Sequence, residues 1–114
     1  MTGQLPEKPR SRRRRVPWAA PVSAGIAAAA ASVPAGQTLH VVAAASDADG
    51  IDEVAFYRVD PGGSTLAGRD GSVPYEQDVA APADGRVELK MFARATDRGG
   101  RQADSEVLTV TVTP

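Results

Sequence analysis

The chain has 114 residues, of which 42% are hydrophobic, 24% charged and 4% aromatic, so it has room for one domain with a small core. It contains no Cys and one His, which excludes disulfide frameworks, thiolate nucleophiles, cysteine zinc sites, iron–sulfur clusters and His-rich metal sites. The formal net charge is −1, and the 11 Gly and 9 Pro with few aromatic residues are typical of an all-β domain with many turns.

The charge is divided unevenly along the chain. Residues 1–16 carry six Lys or Arg against one Glu, a net +5, and residues 17–114 carry the other seven basic residues against thirteen acidic ones, a net −6. Five of the six positions from 10 to 15 are Arg, with Pro nearby and no apolar periodicity. Such a stretch cannot pack into a core, so we predict a basic arm at residues 1–20 and one domain at residues 21–114.

We predict that the arm binds an acidic partner. Arginine makes bidentate contacts with carboxylates and phosphates, and Trp and Arg are favoured at interfaces. The predicted binding residues are Arg10, Arg12, Arg13, Arg14, Arg15 and Trp18. Two alternatives stay open: the run could be a solvated tail, and Trp18 could instead cover the open end of its own domain.

A secretory signal is a further alternative for residues 1–31. A basic stretch precedes an Ala-rich one, and S-R-R at 11–13 is similar to the start of a twin-arginine signal. However, Pro17, Pro21 and Gly25 interrupt the apolar stretch, and cleavage near Ala30 or Ala31 would remove the predicted first strand. The stretch is also too polar and too broken for a transmembrane helix, so no transmembrane segment is predicted.

From residue 21 onward, alternating apolar residues between turn signals predict an antiparallel sheet structure. A weak first strand is predicted at 22–26, although the Ala run at 27–31 would equally suit a helix. Clear strands are predicted at 38–45, 53–59, 86–95 and 105–113, with short edge strands at 65–67 and 75–79. About seven strands with frequent turns predict an immunoglobulin-like β-sandwich.

The pattern also predicts which side chains are buried. Strand 86–95 has the most regular alternation and is predicted to bury Val87, Leu89, Met91, Ala93 and Ala95. Phe56 and Tyr75 are predicted to be buried and Tyr57 and Phe92 to be exposed, and a comparatively long loop is predicted at 60–64.

Short motifs follow one another from residue 34 onward: P-A-G-Q-T-L at 34–39, A-A-S-D-A-D-G at 44–50, V-A-F-Y at 54–57, P-Y at 74–75, A-R-A-T-D-R-G at 93–99 and the closing strand at 107–112. In this order they resemble the motifs of the immunoglobulin-like modules of bacteria and phages (the Big type). The chain resembles these modules over about residues 21–114. The resemblance implies an immunoglobulin-like fold and a role as spacer, stalk, adhesive surface or virion decoration.

Acidic residues give the one candidate metal site. Five acidic residues could converge at one end of the sandwich: Asp47, Asp49, Asp52, Glu53 and Asp97. Carboxylate oxygens there would bind calcium, and the predicted ligands are Asp47, Asp49 and Asp97. The spacing is not that of an EF-hand loop. The alternative is that Asp47 and Asp97 cap turns by accepting main-chain hydrogen bonds. Calcium is the only cofactor that the sequence suggests.

Residues for catalysis are scarce. His40 is predicted on the outward face of a strand, without a second His or a Cys, and no G-x-S-x-G nucleophile motif is present. Tyr57, Phe92 and Trp18 are few for a carbohydrate-stacking platform. The sequence therefore predicts a protein that is not an enzyme and has no small-molecule substrate.

These observations predict an immunoglobulin-like structural or interaction protein that its arm fastens to a larger protein assembly. The preferred setting is a virion surface, as a capsid decoration or tail-surface protein. The alternative is an adhesive or spacer domain of a secreted or cell-surface bacterial protein. Nucleic-acid binding is disfavoured because the acidic domain would be repelled by phosphates.

Overall fold

A computed structural model describes residues 22–48 and 50–114, which form nine strands and no helix. The strands are β1 (Ser23–Ala28), β2 (Ser32–Pro34), β3 (Thr38–Ser46), β4 (Ile51–Asp60), β5 (Gly63–Asp70), β6 (Tyr75–Ala80), β7 (Glu88–Asp97), β8 (Gln102–Asp104) and β9 (Leu108–Thr113). The all-β prediction is confirmed, and the Ala run continues β1 and then bends without forming a helix. The predicted boundary between arm and domain lies outside the described residues.

The strands form two sheets that pack as an immunoglobulin-like sandwich. One has the order β1-β3-β6, and the other has the order β2-β9-β7-β4-β5 with β8 beside β7. All pairings are antiparallel except the one between β2 and β9. The chain crosses from one sheet to the other between β1 and β2, and the short β2 and β8 raise the strand number above the predicted seven.

The core lies between the sheets and consists mainly of aliphatic side chains from β3, β4, β7 and β9. Leu89, Met91, Ala93 and Ala95 of β7 are completely buried, as is Phe56 of β4. The alternation predicted for these residues is confirmed, because each inward side chain of β7 faces the opposite sheet.

Val87 departs from the pattern: it is 70% exposed. β7 begins at Glu88, so Val87 precedes the strand and contributes its carbonyl, which accepts a hydrogen bond from the Val112 N–H at 2.8 Å. The prediction that Val87 is buried is wrong, because Val87 lies at the end of the sandwich and lines an open cleft there.

The prediction of a long loop at 60–64 is also wrong. β4 and β5 form a hairpin in which Asp60 pairs with Gly63, so that only two residues connect them. Gly63 has a φ of +139°, a conformation that side chains disfavour and glycine permits. β5 extends to Asp70 and is therefore much longer than the edge strand predicted at 65–67.

The first strand of the domain begins at one end of the sandwich, and the last strand finishes at the other end. Ser23 of β1 lies opposite Ser46, next to the loops that flank Ile51 and Asp97, and we call this the Asp97 end. β9 finishes beside Pro34 and the start of β7, at the end we call the Asp60 end. β7 spans ten residues, so about 30 Å separates the two ends.

Replacing Leu89 and Val87 separately tests where β7 begins. We expect Leu89→Ala to lower the free energy of unfolding by about 2–5 kcal/mol, because it leaves a cavity in a fully packed core. Val87→Ala, the matched control two residues earlier, should change it by less than about 0.5 kcal/mol. Urea denaturation of both variants measures these values, and equal losses would contradict the structure.

Candidate functional site

The predicted partner-binding residues of the arm lie outside the described residues. Arg10, Arg12, Arg13, Arg14, Arg15 and Trp18 all precede Val22. Their role in binding an acidic partner stays a prediction, and the domain itself offers four further candidate sites.

The first site is the buried carboxylate at the Asp97 end. Asp97 is 1% exposed, and its Oδ1 accepts the N–H groups of Gly99 at 2.9 Å and Arg101 at 2.8 Å. Its Oδ2 accepts Nε of Arg101 at 2.9 Å. Burial raises the pKa of Asp97, but hydrogen bonds from Arg101 and Gly99 outweigh it, so the pKa lies below its ordinary value of 3.8. Asp97 therefore caps this turn.

Asp47 lies at the same end. Its carboxylate is buried, Oδ2 lies 3.9 Å from Nη2 of Arg101, and its main-chain carbonyl accepts the Gly50 N–H at 3.1 Å. Gly50 has a φ of +90° and lies against the Arg98 side chain, so the turn needs glycine here. Asp47 and Gly50 are thus held to the turn at 97–101 by the Arg101 charge and by a hydrogen bond of 3.2 Å from the Arg98 N–H to the Gly50 carbonyl.

The calcium hypothesis depends on these residues. Asp49, the third predicted ligand, lies outside the described residues. Within the described ranges, no group of three or more His, Cys, Asp or Glu side chains is placed to hold a metal ion. Both carboxylate oxygens of Asp97 already accept hydrogen bonds from its own loop, so calcium binding here stays a prediction.

The second site surrounds His40 on the outer face of the three-stranded sheet. Nδ1 of His40 lies 2.7 Å from Oδ1 of Asp78, and Nε2 lies 2.9 Å from Oε1 of Glu76. The hydrogen bond to Asp78 is the largest cause that raises the pKa of His40 above 6.5, and Glu76 raises it further. The predicted surface position is confirmed, since the side chain is 43% exposed. The sequence missed both carboxylate partners because they depend on the register of β3 with β6.

The third site is an aromatic patch on the outer face of the larger sheet, formed by Leu66, Tyr57, Phe92 and Arg94. Tyr57 lies opposite Leu66 on one side and Phe92 on the other. The two rings stack with centroids 5.1 Å apart, and the Arg94 guanidinium lies 5.2 Å from the Tyr57 centroid and 5.6 Å from that of Phe92. Asp104 holds Arg94 through two hydrogen bonds of 2.7 and 3.0 Å.

The aromatic patch confirms that Tyr57 and Phe92 point outward. The two rings stack on each other and the Arg94 guanidinium lies close to both, so the three side chains form one compact cluster. Aromatic and arginine side chains held rigidly on a sheet are the residue types that dominate protein interfaces. The patch is therefore better suited to a protein contact.

The fourth site is an ion-pair network at the Asp60 end. Asp60 accepts hydrogen bonds from Nη1 of Arg86 at 2.8 Å, Nε of Arg58 at 2.9 Å and the Thr65 hydroxyl at 2.8 Å. Arg86 is the largest cause that holds the pKa of Asp60 far below its ordinary value. It also lowers the pKa of Asp84 to about 2. The network joins β4 and β5 to the loop before β7.

An open cleft of about 540 Å³ lies beside this network. Val59, Pro61 and Val87 provide apolar walls, and Arg86 and Asp60 are bound to each other at its edge. The charged groups of the network are engaged within the domain, so their main effect is to fix the loop conformation.

In the described part of the chain, no helix is long and apolar enough to span a membrane.

Comparisons with known proteins agree with this architecture. The model of a bacterial Ig domain family matches residues 26–112, so the chain belongs to that family. The resemblance seen in the sequence motifs is thereby confirmed. No curated protein matches the sequence.

A solved structure gives a second comparison. The chain is similar to a structure described as fibronectin(III)-like modules of Clostridium thermocellum CbhA, at 26% identity and a TM-score of 0.66. The alignment covers 79% of this chain and 94% of the other. The domain is thus an immunoglobulin-like sandwich that is also similar to fibronectin type III-like modules, and domains of these classes are generally non-catalytic.

Acid should destabilise the domain because its carboxylates have lowered pKa values. Asp60, Asp84, Asp97 and Asp104 all favour folding when ionised, a contribution that is complete above the unfolded pKa of about 3.8. This stabilising contribution is lost as the pH falls through the pKa of each carboxyl group in the folded protein, which is about 2 for Asp84. We expect the Tm to fall steeply below pH 4, and less so in Asp84→Asn. A Tm that stays constant down to pH 2 would be inconsistent with these ion pairs.

The single His of the chain permits a direct test of the His40 site by NMR. We expect the imidazole to titrate above pH 6.5, and Asp78→Asn to lower its pKa more than Glu76→Gln does. Since the folded pKa is raised, the stabilisation is complete below pH 6.5 and is lost as the pH rises through the folded pKa. A pKa at or below 6.5 in the unmodified chain would refute this geometry.

Proposed function

We propose that the protein is a non-catalytic module that its basic segment, residues 10–18, anchors to a larger extracellular or surface assembly. The path of the chain carries this proposal. The described domain begins at the Asp97 end, and β9 finishes at the Asp60 end. A segment that precedes Val22 therefore joins the sandwich at the Asp97 end, opposite the end at which β9 finishes.

The charge division supports the anchoring role of residues 10–18. Residues 1–16 carry a net +5 and residues 17–114 a net −6. An acidic binding surface would attract the first segment and repel the second, and the two forces together would orient the domain outward. Arg10 and Arg12–Arg15 would supply charge-assisted hydrogen bonds, with Trp18 as an apolar anchor.

Two settings fit this mechanism. Similarity to fibronectin(III)-like modules of CbhA favours a spacer or adhesive domain of a secreted or cell-surface bacterial protein. The Arg-rich segment, for which the sequence resemblance offers no counterpart, favours a virion surface, where a separate module needs its own anchor. In both settings the aromatic patch is a displayed surface suited to a further protein contact.

Fractionation of the source organism tests the anchor. The full chain is compared with a variant in which Arg10 and Arg12–Arg15 are all Gln, and each is followed in cell-envelope, sedimenting-particle and soluble fractions. We expect the unmodified chain in the envelope or the particles, released by roughly 0.5–1 M salt, at which the Debye length is a few ångströms. The variant should be soluble.

A domain variant controls for a general loss of positive charge. Arg69→Gln with Lys90→Gln removes two exposed cations from the sandwich and should leave the distribution unchanged. Envelope association would favour the cell-surface setting, and particle association the virion. If the five-Arg variant distributes as the unmodified chain does, the anchoring role is wrong.

A further inference from the structure

The edge of the sandwich formed by β1 carries no charged side chain. β1 is an edge strand that pairs with β3 alone among the strands described. Of the other sheet edges, β6 carries Glu76 and Asp78, β5 carries Arg69 and Asp70, and the three-residue β2 ends in Pro34. Charged residues and Pro on edge strands normally prevent pairing with another chain. β1 has neither, since its sequence is S-A-G-I-A-A.

The pairing of β1 with β3 identifies the main-chain groups that face outward. The Ala29 N–H donates to the His40 carbonyl at 2.9 Å, so this residue is directed toward β3. In an antiparallel sheet, the N–H and C=O of one residue point to the same side and alternate residues point to opposite sides. Ala24, Ile26 and Ala28 therefore direct their N–H and C=O groups away from β3.

A groove of about 310 Å³ lies beside this edge, between the two sheets. Its lining consists of Ala24, Gly25, Ile26, Glu106, Val107 and Leu108. Val107 is 54% exposed, and Ile26 and Leu108 are only partly buried against the core. A strand added to β1 would direct alternate side chains over this groove, whose apolar part is formed by Ile26, Val107 and Leu108 and whose polar part includes Glu106, as in strand-addition complexes.

We propose that β1 binds β1 of a second copy of this chain, antiparallel and around a two-fold axis. The axis passes midway between Ile26 and its symmetry equivalent, which lie opposite each other, and Ala24 then lies opposite Ala28. In this register, all the outward-directed N–H and C=O groups of both strands are paired. The two three-stranded sheets become one continuous sheet.

Charge and size favour a second copy as the occupant. Both strands are uncharged, so no like charges face each other in the register, and the small side chains permit close approach. A six-residue strand pair is a small interface, below the roughly 1,000 Å² of a stable dimer, so the association should be weak. The proposal places no partner on the arm and is independent of the proposed function.

Sedimentation equilibrium of the full chain in buffer, without any assembly present, tests the dimer. We expect a reversible monomer–dimer equilibrium with a Kd of roughly 10 μM to 1 mM. A chain that remains monomeric up to about 1 mM would overturn the proposal while leaving the anchoring function unaffected.

Variants at Gly25 and Ala27 test the register. Among the described residues, and apart from the two chain neighbours, no atom would lie within 4 Å of a Cβ at Gly25, and Ala27 is exposed, so both positions accept side chains. Gly25→Lys places two lysines near the two-fold axis and should weaken the dimer about tenfold or more. Gly25→Ala, the matched uncharged control, should dimerise as the unmodified chain does.

A second substitution distinguishes the proposed register from a nonspecific effect. Residue 25 lies opposite residue 27 of the second copy, so adding Ala27→Glu to Gly25→Lys places opposite charges face to face and should restore the affinity. Unchanged thermal unfolding verifies folding, and Ala27→Lys replaces Gly25→Lys if that variant is unstable. Equal affinity of the lysine variant and the unmodified chain, or no recovery in the double variant, would refute the register.

Discussion

The pairing of β4 with β7 is the contact on which the rest of the sandwich depends. These are the longest of the described strands, with ten residues each. Large residues lie opposite small ones along the pair: Phe56 is opposite Ala93, and Val54 is opposite Ala95. All four side chains are completely buried. A chain with two Phe in all can fill its core in this way, because one ring occupies the volume that a small neighbour leaves.

The same shortage of bulky side chains explains how the ends of the sandwich are fixed. A small core cannot extend into the loops, so carboxylates organise them through charge-assisted hydrogen bonds. Asp97 orders residues 98–101, and Asp60 collects donors from β4, β5 and Arg86. Both carboxylates have lowered pKa values and are ionised at neutral pH. Their hydrogen-bonding capacity is used within the domain, which accords with a structural role.

The sequence reveals those features that depend on local alternation. Leu89, Met91, Ala93 and Ala95 could be predicted because they alternate within β7, between the two sheets. Val87 continues the same pattern, but it precedes the strand and lies at the open end of the sandwich. β5 could not be delimited, since its sequence G-S-T-L-A-G-R-D lacks alternation and becomes a strand through its pairing with β4.

The candidate site residues follow the same division between local and distant information. The capping role of Asp97 could be predicted from the sequence, because the residues that donate hydrogen bonds to it, Gly99 and Arg101, follow within four positions. The two carboxylate partners of His40 and the Arg86 partner of Asp60 could not be predicted in this way, because they come from strands and loops far along the chain. Sequence pattern thus locates turns and inward faces, whereas charge pairs across strands require the fold.

The composition of β1 connects the fold with its surfaces. Between Val16 and Ser46, His40 is the one titratable side chain, and this lack of charge makes the stretch similar to a signal sequence. In the structure, the inward residues Ala24, Ile26 and Ala28 are only partly buried, so β1 adds little to the core. An edge strand that served the monomer alone would gain solubility from a charge at little cost to packing. Its uncharged, small residues are better explained by the pairing of its free edge with a second strand.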